Sequence, residues 1–523
     1  LTPHQGPIPH WKRRAINKFY PMEISQPNLR KNKKDPRVVI IGAGIGGLTA
    51  AALLVKAGYL VTVLEAGVYP GGSAGTFFHQ GYLFDAGATL AGGFNPGGPH
   101  TRIAEMLNLE WPVYPVDPAW TVHLPERSIV QHTSHDLWLE ERNHHFPQAE
   151  TFWQRQQALA KTAWEISSKP FPWPPLRSRD WITFLRRIDL QLIKSSPFLF
   201  RKVEDLYPPV VSKEFKVFVD AQLMISAQTT ANYANAFYGS AALDLPRRGV
   251  NSVFKGIGSL SDTLVDWIRR NGGEIIYRQE VNSITVIDKT ARRLTTNKAL
   301  DIEFDLLIAN LTPHALLELL KEQTPTYLNK ITRNRIPKWG TYMVYLGLEN
   351  KSLPELTGDH HQVIRDINQP LGETNSIFIS LSDRNDLSRA PAGMRAATIS
   401  THTNIQTWLD LANHPKDDYQ RLKERYYERV LETAELAIPG IRKGIRFNMA
   451  GTPKTFEFFT HRPNGMAGGF PQTSLFDVLP PKTGLKNVWM VGDSIFPGQS
   501  TAGVTLGAIR VTAEVLAASS KQY

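Results

Sequence analysis

Gly42, Gly44 and Gly47 stand in the order G-x-G-x-x-G, with Ile45 and Gly46 inside the pattern, and Glu65 closes the next apolar run. Each residue type has a task in holding a dinucleotide. Glycine at 42 permits a tight turn, glycine at 44 lets backbone approach a pyrophosphate, and glycine at 47 lets a helix pack closely on a strand. Glu65 is placed to accept hydrogen bonds from ribose hydroxyls. Two more glycine-rich segments follow, Gly71-Gly72-Ser73-Ala74-Gly75-Thr76 and Gly81-Tyr82-Leu83-Phe84-Asp85-Ala86-Gly87, and read as a further nucleotide-binding loop and turn.

The flanking sequence supplies the elements that must hold these residues in place. Val38-Val39-Ile40-Ile41 is a continuous apolar, β-branched run, the pattern of a buried parallel strand. Leu48 to Lys56 then reads as a helix closed by Gly58, and Leu60 to Leu64 as a second strand ending on Glu65. A helix beginning here turns free N–H groups and its positive dipole end toward phosphate. Val38 to Val55 carries no charge and approaches the minimum for a membrane span, but its glycines favour the strand, turn and helix. Near the other end, Val488 to Val491 reads as a strand, Gly492-Asp493 as its turn, and Val504 to Leu516 as an apolar helix.

Composition bounds the chemistry. A chain of 523 residues is long enough for two or more packed units, and 42% hydrophobic with 20% charged residues excludes a mainly disordered or coiled-coil protein. With no cysteine, disulfides, thiolate metal sites, iron–sulfur clusters, cysteine nucleophiles and cysteinyl-linked cofactors are excluded. Redox chemistry then requires a bound cofactor. The formal charge is +11, much of it in residues 1–37, whose nine Lys and Arg face only Glu23 and Asp35. That stretch reads as a solvated, flexible basic arm, and without a reader motif elsewhere nucleic-acid binding is not expected. The chain opens on Leu1, Met22 is a natural alternative start, and no secretory signal is expected before Pro36.

Glu65-Ala66-Gly67-Val68-Tyr69-Pro70-Gly71-Gly72-Ser73, followed by Gly81-Tyr-Leu-Phe-Asp-Ala-Gly87-Ala88-Thr89, resembles the FAD-binding signature of the carotenoid desaturases and isomerases, a branch of the amine-oxidase-like flavoproteins. Many relatives carry Arg after the glycine pair; Ser73 departs from that, away from ordinary amine oxidases and toward the isomerase and C-3′,4′ desaturase sub-branches. Gly492-Asp493-Ser-Ile-Phe-Pro-Gly-Gln-Ser-Thr-Ala-Gly503-Val504 resembles the closing FAD motif of the same family. The resemblance implies that Asp493 approaches the FAD phosphate or ribityl chain and that the helix starting near Gly503 and Val504 points at the flavin, where its dipole favours negative charge. Gly256 to Arg270 and Glu280 to Ile284 resemble the middle segment, implying Val281 against adenine, and Asp305 to Asn310 reads as a strand returning to the cofactor domain.

Together these imply an α/β fold, similar to the amine oxidases and glutathione reductase. A Rossmann-like FAD domain over 38–100, 246–320 and 485–523 is expected beside a mixed α+β substrate domain over 101–245 and 321–484. Trp181, Phe184, Leu185, Ile188 and Leu192 fall on one face of a helix with Arg186, Arg187 and Lys194 opposite, preceded by the stiff stretch Pro170 to Pro175. Such a helix suits either a protein core or a membrane interface; the implied carotenoid substrate favours the interface. Peripheral attachment on the cytoplasmic or photosynthetic-membrane side is expected, with a quinone or O2 as electron acceptor. His132 and His135, His144-His145 and His360-His361 lack a metal-binding spacing, and no metal is expected.

The expected function is an FAD-dependent carotenoid desaturase, most like the C-3′,4′ type, on the resemblance of residues 87–100 to that sub-branch. A carotenoid cis–trans isomerase using reduced FAD is the alternative, and a non-catalytic pigment-binding flavoprotein a third reading. Because a polyene delocalises a cation, no strong base is required; Asp85 and Arg462 are candidates only for lining the site, and Asp85 reads equally as a turn former.

Overall fold

Continuous apolar strands alternate their side chains between two faces, so each needs cover on both sides. In the computed structural model, which describes residues 36–169, 173–175, 178–186, 190–412 and 415–519, five such strands form one parallel sheet. Its order is Glu274–Tyr277, Leu60–Glu65, Arg37–Ile41, Leu306–Ala309, Val488–Met490. Val38, Ile40, Val61 and Val63 pack under the helices Ile45–Lys56, Ser259–Arg270 and Ser500–Ser519. Val39, Ile41 and Leu64 pack on the opposite side, against Val281–Ile287, Thr290–Thr296 and the helix Pro313–Leu320. This is a Rossmann-type α/β unit assembled from three separated stretches of chain.

A seven-stranded sheet, Ile445–Gly451, Trp339–Glu349, Met394–Asn404, Ser376–Leu381, His360–Ile364, Trp120–Leu124 and Arg127–Gln131 in spatial order, forms the second layer. One face of it is covered by Lys416–Ala434 and Ile405–Ala412. Glu150–Ser168, Lys213–Ala227 and Ala236–Leu243 form a helical part whose core is aromatic, with Trp138, Phe152, Trp153, Phe215 and Phe218 all buried.

Three sequence expectations change. The helices read as starting at Leu48 and Val504 begin earlier, at Ile45 and Ser500. Their first turns, Ile45-Gly46-Gly47 and Ser500-Thr501-Ala502-Gly503, consist largely of small residues that contribute little to an apolar periodicity. Ser500–Ala518 is long and apolar enough to cross a membrane, but 61% of that window is buried and it packs on Ile45–Lys56 as a core helix. The single helix over Trp181 to Leu192 is instead two short ones, Ser178–Leu185 and Leu190–Ser195, with a turn at Arg186. Its apolar residues consequently divide: Trp181 and Leu185 are exposed while Leu192 is buried. The basic tail lies outside the described residues apart from Pro36 and Arg37, and Arg37 already belongs to the first strand. Arg187, Ile188 and residues 170–172 also lie outside them.

Candidate functional site

The first strand ends in a turn where Gly42 takes φ +93° and its N–H donates to the Leu64 carbonyl. Gly44 caps the following helix without side-chain help, and no acid occupies the first turn, so Ile45, Gly46 and Gly47 present their N–H groups at a positive helix end. Every glycine here is crowded. A Cβ on Gly44 would lie 2.6 Å from Asn310 Nδ2, one on Gly46 3.2 Å from the Gly492 nitrogen, and one on Gly47 well inside 3.0 Å of the Gly42 carbonyl oxygen. The loop therefore gathers Asn310 and Gly492, from the ends of two other strands, onto one cradle.

Glu65 reaches back to this loop: its Oε2 accepts from Ala43 N–H and its Oε1 from Gly67 N–H, both at 2.7 Å. Burial raises its pKa, opposed by those two N–H groups and by nearby His461. The carboxylate keeps further lone pairs for ribose hydroxyls. Ala66 links Glu65 to Gly67, and the chain before Val281 crosses this edge, Gln279 and Arg278 donating to the carbonyls of Glu65 and Gly67. Val281 itself is buried at the head of its strand.

Gly71 (φ +113°) donates to the Ala43 carbonyl, and Gly72 and Ser73 continue as a single 3-10 turn. The Ser73 carbonyl accepts from Ala88 N–H, and a Cβ on Gly87 would lie 2.8 Å from it. These contacts bring the Gly87-Ala88-Thr89 segment onto the cradle. Val504 packs with Ile45, Ala74 and Ala91, so the N-terminal end of Ser500–Ser519 arrives at the same place. Gly503 is required there, since a Cβ would meet the Gly498 carbonyl, and its N–H donates to the Ser500 Oγ at 3.2 Å.

Asp493 pairs with Arg462 at 2.8 Å, and Arg462 also donates to the Gly468 carbonyl. Sequence singled out both residues without joining them. Asp85, a candidate for lining the site or forming a turn, accepts from Thr76 Oγ1 (2.7 Å), Ile257 N–H (2.9 Å) and Arg389 Nη2 (2.9 Å), which makes it a structural anchor. It still borders a polar cavity of about 350 Å³, partly open to solvent.

A second, larger cavity, about 830 Å³ and likewise partly open, was not foreseen residue by residue. Trp164, Trp173, Phe184, Leu192, Phe237 and Phe496 are among its walls, and Ser500 and Gly503 line it too. Apolar residues on four separate stretches of chain meet here, so no periodicity in one of them announces the site. The cradle and its neighbours fit a dinucleotide: glycines crowded by backbone and by the Asn310 side chain, uncapped helix N–H groups, and an acid with free lone pairs. Gly44, Gly46, Gly47, Glu65, Asn310 and Gly492 would hold its nucleotide and phosphates, and the Ser500–Ser519 end would meet a flavin ring beside the apolar cavity.

A family profile for an NAD(P)-binding Rossmann-like domain matches residues 40–108. Prolycopene isomerase of Daucus carota is 27% identical over 92% of this chain and 80% of its own length. A 4,4′-diapophytoene desaturase of a Methylomonas species is 23% identical over 92% of this chain and 94% of its own. Among solved structures, an oxidoreductase from Methanosarcina mazei shares the fold with a TM-score of 0.61 at 18% identity, covering 91% of this chain and 100% of that one. The chain is thus similar along nine-tenths of its length to carotenoid isomerases and desaturases, and its Rossmann-type dinucleotide-binding domain points to FAD as the cofactor.

Proposed function

We propose that the protein is an FAD-dependent carotenoid desaturase, most like the C-3′,4′ type, working at a membrane surface. The observation that carries this reading is the 830 Å³ apolar cavity, whose lining includes Ser500 and Gly503 at the start of the helix Ser500–Ser519. Bound FAD supplies a two-electron acceptor for a hydride. The cavity walls orient an apolar rod and exclude water, and the helix end at Ser500 favours negative charge accumulating beside it. The test is an anaerobic single turnover of the FAD-loaded protein with liposomal carotenoid. Flavin bleaching with a red-shifted polyene band is the expected result. If oxidised protein is inert while pre-reduced protein changes the cis-isomer pattern with its flavin unaltered, the second reading, isomerisation, replaces it; the similarity to prolycopene isomerases over 92% of the chain favours that alternative.

Filling the cavity separates substrate from cofactor. Ala241 lines it, and Ala241→Phe is expected to slow carotenoid turnover on the order of 100-fold, as misplacement of a bound substrate does, with FAD content unchanged. Full turnover in this variant, read by the same spectra, would remove the cavity from the reaction.

Membrane attachment is supported by the same segment that walls the cavity. Phe184, Leu192 and Leu199 line it, while Trp181, Ile182, Leu185, Ile193 and Phe200 are exposed, Phe200 by 78%. An exposed apolar surface on the segment that also walls the cavity suits uptake from a bilayer, on the cytoplasmic or photosynthetic-membrane side, with a quinone of that membrane or O2 reoxidising the flavin. Ile182→Asp with Leu185→Asp is expected to cut co-sedimentation with liposomes by at least about tenfold. Unchanged sedimentation would count against this face.

A further inference from the structure

In the parallel sheet, Leu60–Glu65 and Val488–Met490 flank Arg37–Ile41 and Leu306–Ala309, whose ends carry the glycine loop and Asn310. Glu65 and Asp493 thus stand on either side of the cradle, three strand spacings or about 14 Å apart. Two consecutive residues reach toward both. His461 Nδ1 lies 3.1 Å from Glu280 Oε1, beside the start of Val281–Ile287, and close enough to Glu65 to act on its charge. Arg462 Nη1 lies 2.8 Å from Asp493 Oδ2, one residue beyond Gly492, on the loop that leads to Ser500 and the apolar cavity. The dipeptide therefore bridges the side of the site suited to adenosine and the side suited to flavin. The group that joins those two halves of FAD is its pyrophosphate.

The segment carrying Arg462 is held firmly. His461 takes φ +51° as it ends the helix Pro453–Thr460, and Asn464 N–H donates back to Glu457 Oε1 at 2.8 Å. A Cβ on Gly465 would collide with the Pro453 carbonyl, and one on Gly469 with the Asp493 carbonyl, so the loop lies directly on both neighbours. Arg462 also gives Nη2 to the Gly468 carbonyl, which fixes its guanidinium on two sides. Its Nε is buried and has no partner. A buried donor left unmade is costly, more so on a charged group, and a side chain fixed in that state marks the place of an acceptor. Charge says which acceptor. Glu65 and Asp493 bring two carboxylates to the cradle, while Ser73 and Asn310 are neutral. The N-terminal ends of Ile45–Lys56 and Ser500–Ser519 add roughly half a positive charge each, which does not balance those acids together with a doubly anionic pyrophosphate. Arg462 cancels the Asp493 charge and still has a donor to give, in the planar fork that suits phosphate.

We propose that Arg462 is a cofactor ligand whose Nε donates to the pyrophosphate of FAD, with Asp493 and the Gly468 carbonyl holding the guanidinium in place. The inference rests on FAD as the cofactor and is independent of whether the loaded protein desaturates or isomerises. It gives the ion pair a task beyond tying two loops together: Asp493 orients the arginine, and the arginine meets the phosphates.

The test titrates the full chain, freed of flavin, with FAD, ADP and adenosine by calorimetry; ADP carries both phosphates and adenosine neither. Arg462→Met is expected to weaken FAD and ADP on the order of tenfold to 100-fold, the range of a hydrogen bond to a charged group, and to leave adenosine within about twofold of wild type. Arg462→Lys, which keeps the charge without Nε, is expected to fall between. In 31P spectra of bound FAD, both variants are expected to move the pyrophosphate signals. An equal loss for all three ligands makes Arg462 merely structural and overturns the proposal. Unchanged FAD and ADP affinities, or unmoved 31P signals, overturn it as well. A variant pair excludes simple neutralisation of Asp493. If that were the whole role, Arg462→Met would cost nothing in an Asp493→Asn background; the expected result there is a further loss on the order of tenfold. If wild type binds neither FAD nor ADP, the dinucleotide reading of the cradle falls and takes the proposal with it. Binding in wild type with insensitive variants removes Arg462 alone.

Discussion

Gly47→Ala is expected to weaken FAD binding by 100-fold or more, about 3 kcal/mol, in a protein that remains folded. The added methyl would meet the Gly42 carbonyl oxygen well inside 3.0 Å, with Asn310 Cβ at 3.0 Å behind it. Neither is the yielding end of a long side chain. To make room, the turn at Gly42 or the helix Ile45–Lys56 must shift, and that turn aims the uncapped N–H groups at the phosphates. Helix propensity itself favours alanine over glycine, so the penalty falls on ligand binding more than on stability. Gly58→Ala is the informative control: at φ +88° it strains the backbone by about 1 kcal/mol, but nothing lies within 4 Å of its Cβ and it is outside the cradle. Its FAD affinity is expected to stay within about threefold of wild type, a free-energy change under about 1 kcal/mol. Apoprotein titrated with FAD, with flavin fluorescence as the readout, decides between them. Wild-type affinity in Gly47→Ala would mean that the cradle does not receive the pyrophosphate.

The contrast between those two glycines also marks what a sequence makes legible. Gly42 to Glu65 can be read because every constraint is local: a buried strand requires an apolar run, the turn requires glycine, and the acid ends the next strand. The same logic recovers Val488 to Asp493. Pairings across the chain leave no such trace. Arg389 lies 304 residues from Asp85, and Ser380 lies 291 residues from Thr89, so nothing in the spacing assigns either partner. Arg462 and Asp493 each draw notice as charged residues in glycine-rich loops, but only the fold joins them. At Trp181 to Leu192 the periodicity was a poor guide for a further reason. Apolar residues there serve two surfaces, a cavity wall and an exposed face, and their pattern over twelve positions imitates one amphipathic helix.

Arg389→Met is expected to destabilise the fold by about 3–5 kcal/mol, the cost of leaving a buried charge without its partner. The Asp85 and Arg389 side chains are only 5% and 9% exposed, and they meet at 2.9 Å. Asp85 Oδ1 holds Thr76 Oγ1 and the Ile257 N–H, while Arg389 Nε holds the Leu83 carbonyl. The pair therefore ties the Tyr82–Asp85 strand to two distant stretches, one leading into Ser259–Arg270 and one following Ser376–Leu381. Removing the guanidinium strands a carboxylate that two neutral donors cannot balance. Asp85→Asn is expected to harm stability as well, because Arg389 then stays buried and charged. The combined Asp85→Asn, Arg389→Met protein is expected to recover part of the loss, since a buried pair replaced on both sides no longer carries an uncompensated charge. Denaturant unfolding of the four proteins measures the coupling. An Arg389→Met cost below about 1 kcal/mol, the range of exposed ion pairs, would show that water reaches Asp85 through the polar cavity it borders, and that the pair anchors much less of the fold than its burial implies.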